Sequence, residues 1–176
     1  MILLETERLS IQEFQPKDKA FFIELLSAPE IINPVPQSPW PLEKIEKQFQ
    51  AFAHYPSDLL TEERVAWGIY EKGGDELIGL YALLTNDEQH KELGYRFRKP
   101  FWGKGYATET TRGMIDFCFK TLPIDLLTAD VNVDNIGSVK VLEKFFLPVR
   151  EFYNEGDGCT DRRYHLTREY WLGEKN

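Results

Sequence analysis

Cysteine is scarce in this chain of 176 residues: there are two, Cys118 and Cys159, at a spacing that makes neither a metal motif nor a disulfide framework. That scarcity excludes a stapled secreted scaffold and fits a reducing compartment. Histidine is nearly as rare, with three, and His54, His90 and His165 stand far apart without the i, i+4 spacing of a helical metal pair, so no metal is expected. Long apolar runs are missing as well. The longest, such as Leu80–Leu84, fall far short of the roughly 20 residues a bilayer span needs. Met1–Leu4 runs into Glu5, Glu7 and Arg8 without the basic flank or apolar stretch of an export signal, so the expectation is a cytoplasmic protein with no membrane partner. Positive charge is also in deficit, 21 Lys plus Arg against 29 Asp plus Glu, for a net charge of −8. Polyanions are bound by neutralising their phosphates, so direct nucleic-acid binding is disfavoured, whereas cationic small molecules and basic peptide ends are attracted.

Apolar residues make up 42% of the chain and aromatics 14%, too much for a disordered segment and enough for one proper core. With no repeat, low-complexity tract or linker, residues 1–176 are expected to form a single domain. Leu9, Ile11 and Phe14 suggest a first strand and Lys17–Leu26 a helix. Pro34, Pro36, Pro39 and Pro41 make Asn33–Trp40 an irregular connection, either a plain surface loop or, with Trp40, one wall of a pocket. Leu42, Ile45, Phe49 and Phe52 trace an amphipathic helix entered through Pro41. Val65–Tyr70 and Leu77–Leu84 flank the turn Lys72-Gly73-Gly74-Asp75, and Glu92–Phe97 follows the turn at Asn86-Asp87, for three antiparallel strands in a row. Ala107, Thr111, Met114, Ile115, Cys118 and Leu122 mark the next helical face. Leu126–Val133 reads as a strand, Ser138–Phe145 as a short helix, and Val149–Tyr153 with Tyr164–Thr167 as a closing hairpin. The order is α/β, with one strand-helix-strand crossover at its centre.

The segment that carries chemistry is Trp102-Gly103-Lys104-Gly105-Tyr106-Ala107-Thr108-Glu109, between a predicted strand and a predicted helix. Small residues there let a ligand approach the backbone, and the first turn of the helix has unpaired amides backed by the helix dipole, a site for a pyrophosphate. A ligand-free helix entry has the same look. A P-loop is absent, and a dinucleotide-binding G-x-G-x-x-G fails because Thr108 holds its last position. A nucleotide-phosphate enzyme is thereby left as a minor reading.

The chain resembles the GCN5-related N-acetyltransferases (GNAT), and within them the group of ribosomal-protein alanine acetyltransferases. The resemblance runs through Glu5-Thr6-Glu7-Arg8-Leu9, Leu93-Gly94-Tyr95, the Trp102–Glu109 segment, Asn135-Ile136-Gly137-Ser138-Val139-Lys140-Val141-Leu142-Glu143-Lys144 and Leu166-Thr167-Arg168-Glu169-Tyr170-Trp171, in order and over nearly the whole chain. It implies a twisted mixed sheet of about seven strands flanked by helices. It also implies acetyl-CoA, with no metal, in the cleft where two central parallel strands splay, its pyrophosphate on the amides of Lys104 through Ala107. The implied cofactor-binding residues are Trp102, Gly103, Lys104, Gly105, Tyr106, Ala107, Thr108, Asn135 and Ser138. Trp102 stands where the wider family has Gln or Arg, so Arg98 and Lys104 are expected to supply the missing charge, Lys104 being read equally well as a solvated loop residue.

Acetyl transfer to an amine needs a neutral amine, stabilisation of an oxyanion and a proton for the departing thiolate. Glu92 is the candidate base, with a pKa raised by burial or by neighbouring acids; its plain alternative is an exposed strand carboxylate pairing with Lys91 or Arg96. The resemblance places Asn135 on the pantetheine arm and Ser138 near the sulfur as proton donor, against Ser138 as an ordinary helix N-cap. Phe146 stands where relatives have a left-handed Gly stop, so local distortion is expected there. Cys118 reads as a core residue and Cys159 as an exposed turn thiol. Glu151, Glu155, Asp157 and Asp161 gather near the closing hairpin, either to attract an acceptor or as a solvated loop. The expected function is direct acetyl transfer to a protein N-terminal amine, a polyamine or an aminoglycoside-like molecule, with a homodimer common among relatives. The alternative is a non-catalytic acyl-CoA-binding module, which the altered Phe146 region permits.

Overall fold

The computed structural model of the chain describes residues 1–33, 39–54, 56 and 58–173. Eight strands lie among them: β1 (Ile2–Glu5), β2 (Leu9–Gln12), β3 (Arg64–Glu71), β4 (Gly79–Thr85), β5 (Lys91–Phe97), β6 (Leu126–Asn132), β7 (Leu147–Asn154) and β8 (Cys159–Thr167). The helices are α1 (Lys19–Ser27), α2 (Pro29–Ile32), α3 (Leu42–Phe52), α4 (Tyr106–Thr121), α5 (Ile136–Leu142) and α6 (Arg168–Gly173). All strands join one sheet in the order β1-β2-β3-β4-β5-β6-β8-β7. It is the expected mixed α/β sheet flanked by helices, with eight strands instead of about seven. The extra one, β1, is a four-residue edge strand with both ends exposed, too short and too acid-flanked to show alternation.

Two apolar layers cover the sheet. Val65, Trp67 and Ile69 of β3 face one layer with Tyr81, Leu83 and Leu93, packed under Met114, Ile115, Cys118 and Phe119 of α4. Ala66 and Tyr70, the intervening positions, face the other layer with Leu80 and Ala82, under Phe22 and Leu25 of α1 and Ile45 and Phe49 of α3. Phe14 belongs to this second layer, beyond the end of β2, and not to the first strand that Leu9, Ile11 and Phe14 had suggested. Of the irregular connection expected over Asn33–Trp40, residues 34–38 lie outside the described residues.

The functional geometry arises at the middle of the sheet. β5 and β6 run parallel, the only such pair among the described strands, and are matched only at Lys91↔Leu127 and Glu92↔Thr128. Beyond that, β5 stays with β4 as far as Phe97↔Gly79, while β6 stays with β8 as far as Asn132↔Asp161. The two strands therefore part toward their C-terminal ends and open a wedge.

Two expectations beside the wedge are corrected. The helix after β6 spans Ile136–Leu142, not Ser138–Phe145, because the Asn135 side chain is its N-cap and accepts from the Ser138 amide at 3.3 Å. Ser138 thus lies in the first turn and is not the cap. Phe146 distorts nothing: among the described non-glycine residues only Gln89 has a positive φ, so the helix stops without a left-handed residue. Instead, the Phe145 and Phe146 amides both turn back to the Leu142 carbonyl at 2.9 and 2.8 Å, and the Phe146 ring is buried in the larger apolar layer. Burial of a phenylalanine takes the place of the glycine stop.

Candidate active site

A cleft of about 750 Å³ occupies the wedge. One wall comes from β3–β5 and from Phe22, Trp40 and Phe52, the other from β6, α5 and the β7–β8 hairpin. Trp40 is a pocket wall, as the second of its two readings had it, with the Lys44 ammonium 3.8 Å above its ring centre.

Glu92, Asn135 and Ser138, singled out separately along the chain, all line this cleft. Alternation along β5 puts Glu92 and Arg96 on the face that carries α1, where Arg96 Nη1 donates to the Leu25 carbonyl at 3.4 Å, and Tyr95 on the side of α5. Glu92 is half-buried, and no described cation lies within ion-pair distance of it: Lys91 turns away to the Glu62 carbonyl and the Thr85 hydroxyl at 2.8 and 2.9 Å. Burial first, and then the negative charges of Asp130, Asp87 and Asp161 against the opposing pull of Arg163, push the Glu92 pKa up to about 8. Across the wedge the Tyr95 hydroxyl donates to Ser138 Oγ at 3.3 Å. Tyr95, part of the Leu93-Gly94-Tyr95 motif but assigned no role from sequence, joins β5 to α5 here.

Six acids line the cleft: Asp87, Glu92, Asp130, Glu155, Asp157 and Asp161. Glu151, grouped with them on sequence, is instead tied to Arg162 at 2.7 Å. Mutual repulsion is visible at Asp157, whose pKa is raised by burial and then by Asp161. Arg163, fully buried, holds the cluster together through Asp130 (2.9 and 2.7 Å) and Asp87 (2.6 Å), with Glu88 at 3.0 Å. Nothing in the sequence marked Arg163, because its partners come from β6 and the β4–β5 turn.

The Trp102–Thr108 segment adjoins this lining without being part of it, at the end of β5. Gly103 (φ +73°) and Gly105 (φ +79°) take left-handed turns, and Gly105 is the N-cap of α4 with no side chain capping it. The first-turn amides of Tyr106, Ala107 and Thr108 have no intrahelical acceptor. Trp102 and Tyr106 hold the segment in place, Trp102 Nε1 donating to the Phe97 carbonyl at 2.8 Å and the Tyr106 hydroxyl to Glu71 at 2.5 Å. Thr108 accepts from the Lys144 ammonium at 3.0 Å. Lys104 is half-exposed, 3.9 Å from Glu71. Arg98 departs from its expected placement: it is buried, and its guanidinium is committed to Glu24 at 3.0 Å, Glu76 at 2.5 Å and the Leu77 carbonyl at 3.0 Å. It fastens α1 to the sheet, which leaves Lys104 as the cation of the segment.

The remaining reactive side chains are accounted for. Cys118 is buried in the core, its thiol pushed up to about 12 by desolvation. Cys159 begins β8 and is half-buried, not an exposed turn thiol, with Sγ 3.4 Å from Asp161. His90 and His165, distant in sequence, meet edge to face at 6.3 Å, but among the described residues no group of three potential ligands forms.

The pattern of the Acetyltransferase (GNAT) domain family matches residues 8–145. The chain belongs to the GNAT acetyltransferase family. This GNAT chain is 28% identical over 145 residues to "Uncharacterized N-acetyltransferase p20" of Bacillus licheniformis, covering 81% of this chain and 80% of that protein. Its fold is that of the spermidine N-acetyltransferase of Vibrio cholerae solved with CoA and spermine (TM-score 0.76, 19% identity, 93% of this chain and 98% of that one). It equally matches a ribosomal L7/L12 alpha-N-protein acetyltransferase solved with coenzyme A (TM-score 0.75, 15% identity, 97% and 99%). At those identities the likeness is one of fold, and it gives the narrower alanine-acetyltransferase grouping no more support than the polyamine enzyme. Among the described residues, no helix of this N-acetyltransferase is long and apolar enough to cross a membrane.

Proposed function

We propose that this GNAT enzyme transfers an acetyl group from acetyl-CoA directly to a primary amine held in the same cleft, and that the amine belongs to a molecule carrying further positive charge. The carrying observation is that Glu92 from β5 and Ser138 from α5 face one cleft from opposite sides of the wedge. The residues fit such a donor. Space is open where a Cβ would stand at Gly103, the first-turn amides of α4 are donors for a diphosphate, and Lys104 adds positive charge. Bound there, acetyl-CoA supplies a thioester carbonyl and a leaving thiolate. Glu92 takes a proton from the bound ammonium, directly or through water, and the free amine so formed attacks the thioester carbonyl. Ser138, oriented by the Tyr95 hydroxyl, returns a proton to the sulfur. With the Cys118 thiol buried and pushed up to about 12, and the Cys159 thiol also raised, by burial first and by its bond to Asp161, neither cysteine is poised as a thiolate to carry the acetyl group in between.

Asp87, Asp130, Asp157 and Asp161 favour a polyamine. One nitrogen must react as the free base, so only a second ammonium can meet the remaining carboxylates during transfer. Spermine in the structurally similar Vibrio cholerae enzyme supports this choice. The non-catalytic alternative rested on distortion at Phe146, and Phe146 is instead packed in the core.

The test follows free thiol released from acetyl-CoA with polyamines, aminoglycosides and N-terminal peptides. Polyamines should give the highest kcat/KM; preference for an uncharged peptide refutes the acceptor class, and no release across the panel refutes the transferase reading. In the same assay, Ser138→Ala should cut turnover by about 10- to 100-fold while the KM for acetyl-CoA stays within about twofold. Unchanged turnover would return Ser138 to a plain first-turn residue.

A further inference from the structure

We propose that Arg8, from the Glu5-Thr6-Glu7-Arg8-Leu9 segment, is a positioning residue for the donor's diphosphate, acting through the Lys104–Gly105 peptide. The inference rests on the proposed acetyl-CoA site. The segment makes the tight turn between β1 and β2, and its backbone is fixed there. The Thr6 amide donates to the Leu9 carbonyl at 2.9 Å, and the Lys72 amide to the Arg8 carbonyl at 2.8 Å. From this fixed base Arg8 makes three contacts with the glycine segment and the helix behind it. Its Nε donates to Glu109 Oε2 at 2.6 Å, its amide to Glu109 Oε1 at 2.7 Å, and its Nη1 to the Lys104 carbonyl at 2.9 Å. Thr6 adds a hydroxyl bond to Glu109 Oε1 at 2.6 Å, and the guanidinium lies 4.7 Å over the Tyr106 ring.

The contact to Lys104 carries the consequence. A trans peptide is planar, with its C=O and N–H on opposite sides. Holding the Lys104 carbonyl toward Arg8 therefore turns the Gly105 N–H away from Arg8. That peptide leads into a left-handed Gly105 with φ +79°, a conformation in which a free chain would spend only part of its time. A Cβ at Gly105 would stand 3.4 Å from Arg8 Nη2, so the guanidinium backs directly onto this residue. A cation near a helix N-terminus is unfavourable by itself, and Glu109 in the first turn offsets it. The carboxylate thus holds the arginine, and the arginine holds the peptide.

The test compares wild type, Arg8→Met and Arg8→Lys with two donors, acetyl-CoA and S-acetylpantetheine, which lacks the diphosphate. With acetyl-CoA, kcat/KM of Arg8→Met should fall about tenfold, what one lost charge-assisted hydrogen bond amounts to, through KM and with kcat within about twofold. With S-acetylpantetheine, kcat/KM should stay within about twofold, and Arg8→Lys should recover part of the loss with acetyl-CoA. Equal losses with both donors would make Arg8 merely structural and overturn the proposal, as would unchanged kinetics with acetyl-CoA. If Arg8→Met does not melt cooperatively, Arg8→Lys decides by the same donor comparison. Should wild type itself fail to use acetyl-CoA, the site reading falls and this inference with it.

Discussion

Glu92→Gln should lower turnover by at least about 100-fold and remove the limb of the pH–rate profile centred near pH 8. A base works when ionised, so wild-type kcat/KM is expected to climb about tenfold per pH unit below that value and to level above it. The kcat profile, which reports the loaded enzyme, should have its limb at lower pH, because a bound ammonium favours the ionised carboxylate that Asp130 and Asp87 disfavour. Glutamine should leave only the titration of the amine itself. Stability moves in the opposite sense. The folded pKa lies above the ordinary value near 4.5, so the fold prefers the protonated acid and loses stability as pH rises from 4.5 through 8. At pH 9, Glu92→Gln should therefore be the more stable protein, by on the order of 2 kcal/mol for a half-buried group, or about 4–8 °C in Tm. An unchanged pH profile and rate would remove Glu92 from the chemistry.

Arg163→Met is expected to be the most destabilising of the substitutions considered. The guanidinium is almost wholly buried and joins Asp130 on β6, Asp87 and Glu88 in the β4–β5 turn, and its own strand β8. Those elements lie on both sides of the wedge, so this ion pair network ties together the two half-sheets where β5 and β6 separate. Methionine fills much of the space but leaves the half-buried Asp130 carboxylate unpaired, at a cost of about 3–5 kcal/mol. Calorimetry should show Tm lower by about 6–20 °C. The same change removes the one positive charge that holds the Glu92 pKa down, so the limb near pH 8 should move to higher pH. Asp130→Asn should move it to lower pH. Coincident shifts of both variants in one direction would mean that Glu92 does not sense this network.

These two residues mark the boundary of what the sequence made legible. Glu92 was singled out because the proposed chemistry demands a base and β5 leads into the glycine segment, and it lines the cleft. The three-strand meander, the helix after Gly105 and the crossover were equally readable, since each is a local pattern of period two or 3.6. Arg163 and Tyr95 were not: their roles depend on Asp130, Asp87 and Ser138, partners that only the sheet order brings near. Arg98 shows the converse error. Proximity in sequence to Trp102 suggested a phosphate ligand, but Arg98, just past the end of β5, turns its side chain back to Glu24 and Glu76. Phe146 misled for a related reason, because a local glycine-stop rule cannot anticipate that a ring buried in the core will end the helix as well.

Thermal unfolding of the wild-type protein with coenzyme A, ATP or NAD at matched concentration asks most directly whether a pantetheine-bearing diphosphate is what the wedge and the α4 terminus recognise. Coenzyme A at a hundred times its Kd should add about 2.7 kcal/mol, raising Tm by about 5–10 °C, with much smaller shifts from the other two. A Tm unmoved by coenzyme A, or moved as far by ATP or NAD, would contradict it.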